Sequence, residues 1–327
     1  MTSLRSALKS ATALAAFSLS FPLASWAEEP LPVVATFSIL GDMVERIGGE
    51  HIALTTLVGP DGDAHVYQPT PKVARSVAEA DVLFLNGLEF EGWLERLAEA
   101  ASFGGAMVVA TKGVVPIAFD DHDDHDEHDD HDDHDEHDKH EDHDDHAGHD
   151  HGAFDPHAWQ SLENAVIYAN NIAAGLAQAD PENAGDYYAN RAAFITEVET
   201  LRADIGAMMK SLPADKRTVV TPHDAFGYFA ATYDLTFVAP QGMSTDSEVS
   251  AADVAALITQ IREESISAVF IESITDNRMM QQIANETGAT IGGTLYSDAL
   301  SAQSGPASTY LDMMRHNATT LFDALGN

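Results

Sequence analysis

The chain has 327 residues, a formal charge of −37, no cysteine and 45% hydrophobic residues. That charge repels nucleic-acid phosphates and anionic membrane surfaces, and the lack of cysteine excludes disulfides, thiolate metal sites and an acylated thiol. What remains open is cation chemistry on nitrogen and oxygen ligands, in a chain long enough for two ordinary globular domains.

The N-terminus carries Arg5 and Lys9, then an apolar stretch from Ala11 to Ala24 and the small-residue stop Ser25-Trp26-Ala27. This apolar stretch of 14 residues falls short of the ~20 that span a bilayer, so residues 1–27 read as a secretory signal peptide cut after Ala27. From there to residue 160, apolar runs at Val33 to Phe37, Ile52 to Val58, Val82 to Asn86 and Met107 to Ala110 read as strands. They alternate with helical patterns around Ile39 to Ile47 and Lys72 to Ala80. This alternation predicts an α/β lobe with a parallel sheet over 28–160. Residues 213–327 repeat the rhythm, with strands at Thr218 to Thr221, Leu235 to Val238, Ala268 to Ile271 and Thr290 to Leu295, and helices near 224–233, 250–264 and 277–287. Between the lobes, residues 161–212 carry little strand character and are broken only at Asp180-Pro181. A single helix over Pro181 to Lys210 would reach ~45 Å, long enough to join two lobes as a rigid spine and leave a cleft between them.

From His122 to His149 a histidine falls at every third position, and His151 follows, which places 11 of the 16 histidines in one segment. Residues 120–151 also hold 18 Asp and Glu against the single Lys139, a net −17 of the total −37. A period of three fits neither helix nor strand, and the composition has too little apolar surface to fold, so the segment is expected to be a disordered insert. Histidine favours borderline metals such as zinc over magnesium or calcium, and successive histidines lie ~9 Å apart in an extended chain. Several weak, rapidly exchanging metal sites are therefore expected along it.

Five histidines lie elsewhere. His157 and His223 each follow a proline, in Asp155-Pro156-His157 and Thr221-Pro222-His223, and His65 stands in Asp63-Ala64-His65 shortly before Pro69 and Pro71. Proline stiffens the backbone that presents the next side chain, and a rigid ligand loses less entropy on binding. His51 and His316 have no such setting and read as surface residues. For a fourth ligand, Asp298, Glu272, Asp224 and Asp155 are all candidates.

The loop Gly59-Pro60-Asp61-Gly62-Asp63-Ala64-His65-Val66-Tyr67-Gln68-Pro69-Thr70-Pro71, the turns Asp155-Pro156-His157-Ala158-Trp159 and Thr221-Pro222-His223-Asp224-Ala225-Phe226, and Leu295-Tyr296-Ser297-Asp298 carry a resemblance. Together they resemble the zinc-specific members of the metal-binding solute receptors of ABC importers, over essentially the whole mature chain. The resemblance implies two α/β lobes joined by one long helix, with His65 and His157 from the first lobe and His223 and Asp298 from the second as the metal ligands. It also implies a periplasmic location, Zn²⁺ as transported cargo, and a membrane permease as partner. A periplasmic zinc chaperone is a further expected partner, and the receptor is expected to be monomeric. Manganese-type relatives tend to place a carboxylate where this chain has His223, and three imidazoles with one carboxylate suit tetrahedral zinc. The chain departs from the pattern at Ala64, where the family commonly has proline, and in lacking the disulfide that some zinc receptors carry.

Two other classes compete. A zinc hydrolase needs an open coordination position and a general base, and the chain has no His-Glu-x-x-His, Gly-x-Ser-x-Gly or phosphate-cradling glycine loop, so no enzyme is expected. A periplasmic zinc buffer or chaperone without its own permease, or a manganese or iron receptor of the same fold, is the alternative.

Overall fold

The computed structural model describes residues 29–118 and 154–326. The expected signal peptide and the histidine-rich segment 120–151 lie outside these residues. The first sheet is all parallel in the order β2-β1-β3-β4, built from β1 (Leu31–Phe37), β2 (Ile52–Val58), β3 (Val82–Leu85) and β4 (Ala106–Val109). Helices α1 (Ser38–Gly48), α2 (Pro71–Ala78) and α3 (Leu94–Ala101) connect its strands. The second sheet, also parallel, runs β6-β5-β7-β8. Its strands are β5 (Thr218–Val220), β6 (Thr236–Val238), β7 (Ala268–Glu272) and β8 (Thr290–Leu295), with α6 (Gly227–Tyr233), α7 (Ala251–Glu263) and α8 (Arg278–Thr287) between them and α9 (Tyr310–Leu325) after them.

The sheets are joined by α4 (Leu162–Ala179) and α5 (Ala184–Lys210). The expected single helix from Pro181 opens instead as a short 3-10 turn, Pro181–Asn183, because the Asp180 carboxylate accepts the Asn183 N–H and caps it. The α-helix proper begins at Ala184 and spans 27 residues, or about 40 Å. One stripe of α5, Tyr187, Phe194, Val198, Leu201, Ile205 and Met209, is buried against α1, α4 and α9. That three- and four-residue spacing is what a helix needs to bury one face. Helix starts follow local chemistry: Thr70 caps α2 ahead of Pro71, Ser161 caps α4, and Ser250 with Asp253 forms a capping box on α7.

Buried apolar residues form one continuous core from β1 and β3 through α4, α5 and α9 to Val219, Ala268 and Phe270 on one face of the second sheet. The alternating residues Val220 and Val269 face the other way, onto a smaller cluster with Leu257, Ile258 and Ile261 of α7 and Met280 and Ile283 of α8. Period-two alternation thus covers both faces of the second sheet, as a parallel sheet requires. No helix among the described residues is long and apolar enough to cross a membrane.

Candidate metal centre

Every residue of interest sits in a loop at the carboxyl end of a strand, where parallel α/β sheets place their ligands. His65 lies between β2 and α2, His157 between β4 and α4, and His223 and Asp298 each three residues beyond β5 and β8. The structure brings these four together, with one donor atom from each lying within 4.8 Å of all the others. Asp298 Oδ2 stands 3.1 Å from His65 Nε2 and 3.2 Å from His223 Nε2, and Oδ1 stands 3.6 Å from His157 Nε2. The Nε2 atoms of His65 and His157 are 3.4 Å apart. Four donors arranged tetrahedrally at 2.0–2.1 Å from one ion would be separated by about 3.3 Å. The spacings of Asp298 Oδ2 to His65 and His223 and of His65 to His157 lie near that value, while His157 approaches the other Asp298 oxygen.

His157, His223 and Asp298 are completely buried and His65 nearly so. Both Asp298 oxygens and both His223 ring nitrogens lack an aligned hydrogen bond. A buried carboxylate with three imidazoles turned toward it and no other partner is a donor set that suits a cation. Burial works to raise the Asp298 pKa, yet His223 and His157 hold the carboxyl well below its usual range. Reciprocally, burial works to lower the pKa of both histidines but is overridden, by Asp298 and Asp155 at His157 and by Glu272 and Asp298 at His223, so both are raised.

The remaining candidate carboxylates stand behind the imidazoles. Asp155 Oδ1 is 2.8 Å from His157 Nδ1 and also accepts the His157 backbone N–H. Glu272, the last residue of β7, places Oε2 2.6 Å from His223 Nδ1, off the line of the ring N–H, and Oε1 3.3 Å from the His223 backbone N–H. Ser297 Oγ donates to Glu272 Oε2 at 2.7 Å. Carboxylates at Nδ1 fix ring orientation and leave Nε2 for the metal. Asp224, by contrast, is not part of the four-residue cluster.

The turns are held from behind. Asn86 Nδ2 donates to the Pro156 carbonyl at 2.9 Å, and the Tyr168 hydroxyl donates to Asn86 Oδ1. Trp159 Nε1 and Gln160 Nε2 both donate to the Ser297 carbonyl, which ties the His157 turn to the Asp298 loop. Tyr228 donates to the Asp155 carbonyl, and a Cβ at Gly227 would lie 2.5 Å from Asp155 Oδ2, so only glycine lets α6 start so close to that carboxylate. Ala64 is fully buried and its carbonyl accepts Trp93 Nε1 at 2.7 Å, which anchors the His65 loop without a proline.

The other two histidines lie away from the cluster. His51 pairs with Asp186 at 2.9 Å and packs edge-on against Tyr187, joining the first lobe to α5. His316 contacts the Thr294 carbonyl and the Tyr296 ring and is part-buried, a packing role where a surface one was expected.

Residues 33–324 match the family described as zinc-uptake complex component A, periplasmic. The chain is 30% identical over 298 residues to the manganese-binding lipoprotein MntA of Halalkalibacterium halodurans, covering 91% of this chain and 89% of that one. It is also 30% identical over 294 residues to the iron-binding protein YfeA of Yersinia pestis, covering 90% and 86%. Among solved structures it resembles the periplasmic zinc-binding protein TroA of Treponema pallidum, with a TM-score of 0.78, 26% identity and coverage of 92% and 100%. A manganese-bound mutant of a periplasmic metal-binding protein from Candidatus Liberibacter asiaticus aligns with a TM-score of 0.76, 30% identity and coverage of 90% and 98%. The family match runs from the first strand into the last helix, so the chain belongs to that family and is a metal-binding receptor of the kind that serves ABC importers.

Proposed function

We propose that the chain captures Zn²⁺ in the periplasm and delivers it to the permease of an ABC importer, with His65, His157, His223 and Asp298 as the ligands. One observation carries this reading: three imidazole nitrogens and one carboxylate, buried together with their donor atoms within 4.8 Å of one another, a donor set that suits zinc. Four protein ligands leave no position for an activated water, so the site holds cargo and does not catalyse. The two lobes, 28–160 and 213–327, each supply two ligands, and the segment 120–151 serves as an accessory collector.

A manganese or iron receptor is the second reading. It is favoured by the manganese- and iron-binding relatives and by Asp298, whose two oxygens both face imidazoles and so allow a bidentate carboxylate with a higher coordination number. Metal accumulation in cells lacking the chain separates the two, because nitrogen and oxygen donors bind zinc more tightly than manganese in either kind of receptor. A zinc deficit that added zinc relieves and added manganese or iron does not supports the zinc reading. A manganese or iron deficit with normal zinc would establish the second reading instead.

A further inference from the structure

Two of the three imidazoles are braced at Nδ1 by a buried carboxylate, Asp155 behind His157 and Glu272 behind His223. His65 is held differently. The Asp63 carboxylate accepts the His65 backbone N–H at 2.9 Å through Oδ1, and its other oxygen, Oδ2, accepts the Thr245 hydroxyl at 2.6 Å. Thr245 belongs to the opposite lobe, in the loop between β6 and α7.

That loop is itself fastened to a second ligand turn. Gln241 pairs with His223 in an isolated parallel bridge, donating its N–H to the Pro222 carbonyl at 3.3 Å, and Asp224 donates its N–H to the Gly242 carbonyl at 3.2 Å. The Gln241 side chain then closes the loop, donating through Nε2 to the carbonyls of Thr245 at 2.7 Å and Ser247 at 2.8 Å. Ser247 N–H adds a bond to the Ser244 carbonyl. Thr245 therefore has a fixed position relative to His223, and a continuous chain of hydrogen bonds leads from the His223 turn through Gln241, Thr245 and Asp63 to the His65 backbone.

We infer that residues 241–247 form a strap across the cleft, and that Asp63 and Thr245 are positioning residues that hold the His65 loop in its metal-binding place while the lobes are together. This rests on the metal-receptor reading above. The physical reason is that His65, with no carboxylate at Nδ1 among the described residues, depends on its backbone for orientation, and the Asp63 carboxylate fixes that backbone. Breaking the strap removes one cross-cleft hold on the His65 loop, which keeps its anchor at Trp93, so metal leaves faster while the ligand set stays complete. Because the strap also begins at the His223 turn, it couples one ligand of each lobe.

The test is stopped-flow release of Zn²⁺ to an excess of chromogenic chelator, from the wild-type chain and from Thr245→Val, Thr245→Ser, Asp63→Ala and the Asp63→Ala/Thr245→Val double variant. Metal content after dialysis is measured alongside. Thr245→Val should release zinc about tenfold faster, the loss of one hydrogen bond, and Asp63→Ala at least as fast, since it removes the bond to the His65 backbone as well. The double variant should be no faster than the faster single one, since both changes cut the same link. Thr245→Ser, which keeps the hydroxyl, should restore slow release, a rescue that mere loop packing would not give. Wild-type release rates in Thr245→Val, or effects that multiply in the double variant, would overturn the strap alone. A wild-type chain that retains no zinc would overturn the receptor reading, and the strap with it.

Discussion

Protons and metal compete for the same nitrogens at His157 and His223. Both imidazoles have pKa values raised by neighbouring carboxylates in the metal-free protein, so each must release a proton before it can coordinate. The sign follows directly: zinc affinity is full only above the raised pKa values and declines as pH falls through them, starting above the ~6.5 of an unperturbed histidine. Glu272 is the largest of the charges that raise His223. In Glu272→Gln the onset of zinc loss should therefore move to lower pH, while affinity at pH 8 falls about 10- to 100-fold because the ring loses its orienting partner. Titration of both proteins with a competing chelator between pH 8 and 5 reads the two effects separately, and identical pH profiles would show that Glu272 does not touch the site. At this scale the sequence pointed to His157 and His223 through their proline-histidine turns, a local signal, and to His65 through a loop with prolines only after it, at Pro69 and Pro71. It could not rank Asp298, Glu272, Asp155 and Asp224, since which of them faces Nε2 and which backs Nδ1 depends on contacts such as that between His223 and Glu272, 49 residues apart. The Asp63–Thr245 bond spans 182 residues and left no sequence signal at all.

The elements that carry these turns owe their positions to α5. Phe194 is buried near the middle of that helix, with the Tyr310 ring 6.4 Å away and the Arg46 guanidinium 5.2 Å over its face. Phe194→Ala should cost about 3–5 kcal/mol of stability in urea unfolding of the metal-free protein, with zinc stoichiometry unchanged in the protein that remains folded. A loss below about 1 kcal/mol would mean that α5 is not packed as described. Strands β2 and β8 were legible to the residue, and the other strands to within one or two, because short β-branched runs bounded by turn residues have few other readings. Helix α3 was not anticipated. Only Leu94 and Leu97 are buried among its eight residues, too short a stripe to register a period. The start of α5 shifted from 181 to 184 because Asp180 caps a 3-10 turn first, a choice set by side-chain geometry and not by propensity.

Across the whole molecule, the site exists only because the two lobes meet. Beyond the strap, the Asp61 N–H donates to the Leu300 carbonyl, the Leu300 N–H to Ser38 Oγ, and the Tyr310 N–H to Asp42 Oδ2, each bond linking the first lobe to the C-terminal third. A chain with a formal charge of −37 gathers cations everywhere, and nearly half of that charge lies in residues 120–151, so binding as such is weak evidence for the cleft. The discriminating measurement is calorimetric Zn²⁺ titration of residues 28–327, of a variant lacking 120–151, and of His223→Ala. One tight site should persist in the deletion variant and collapse in His223→Ala. Loss of all tight binding on deletion, with His223→Ala unaffected, would place the metal on the histidine-rich segment and contradict a site built from His65, His157, His223 and Asp298.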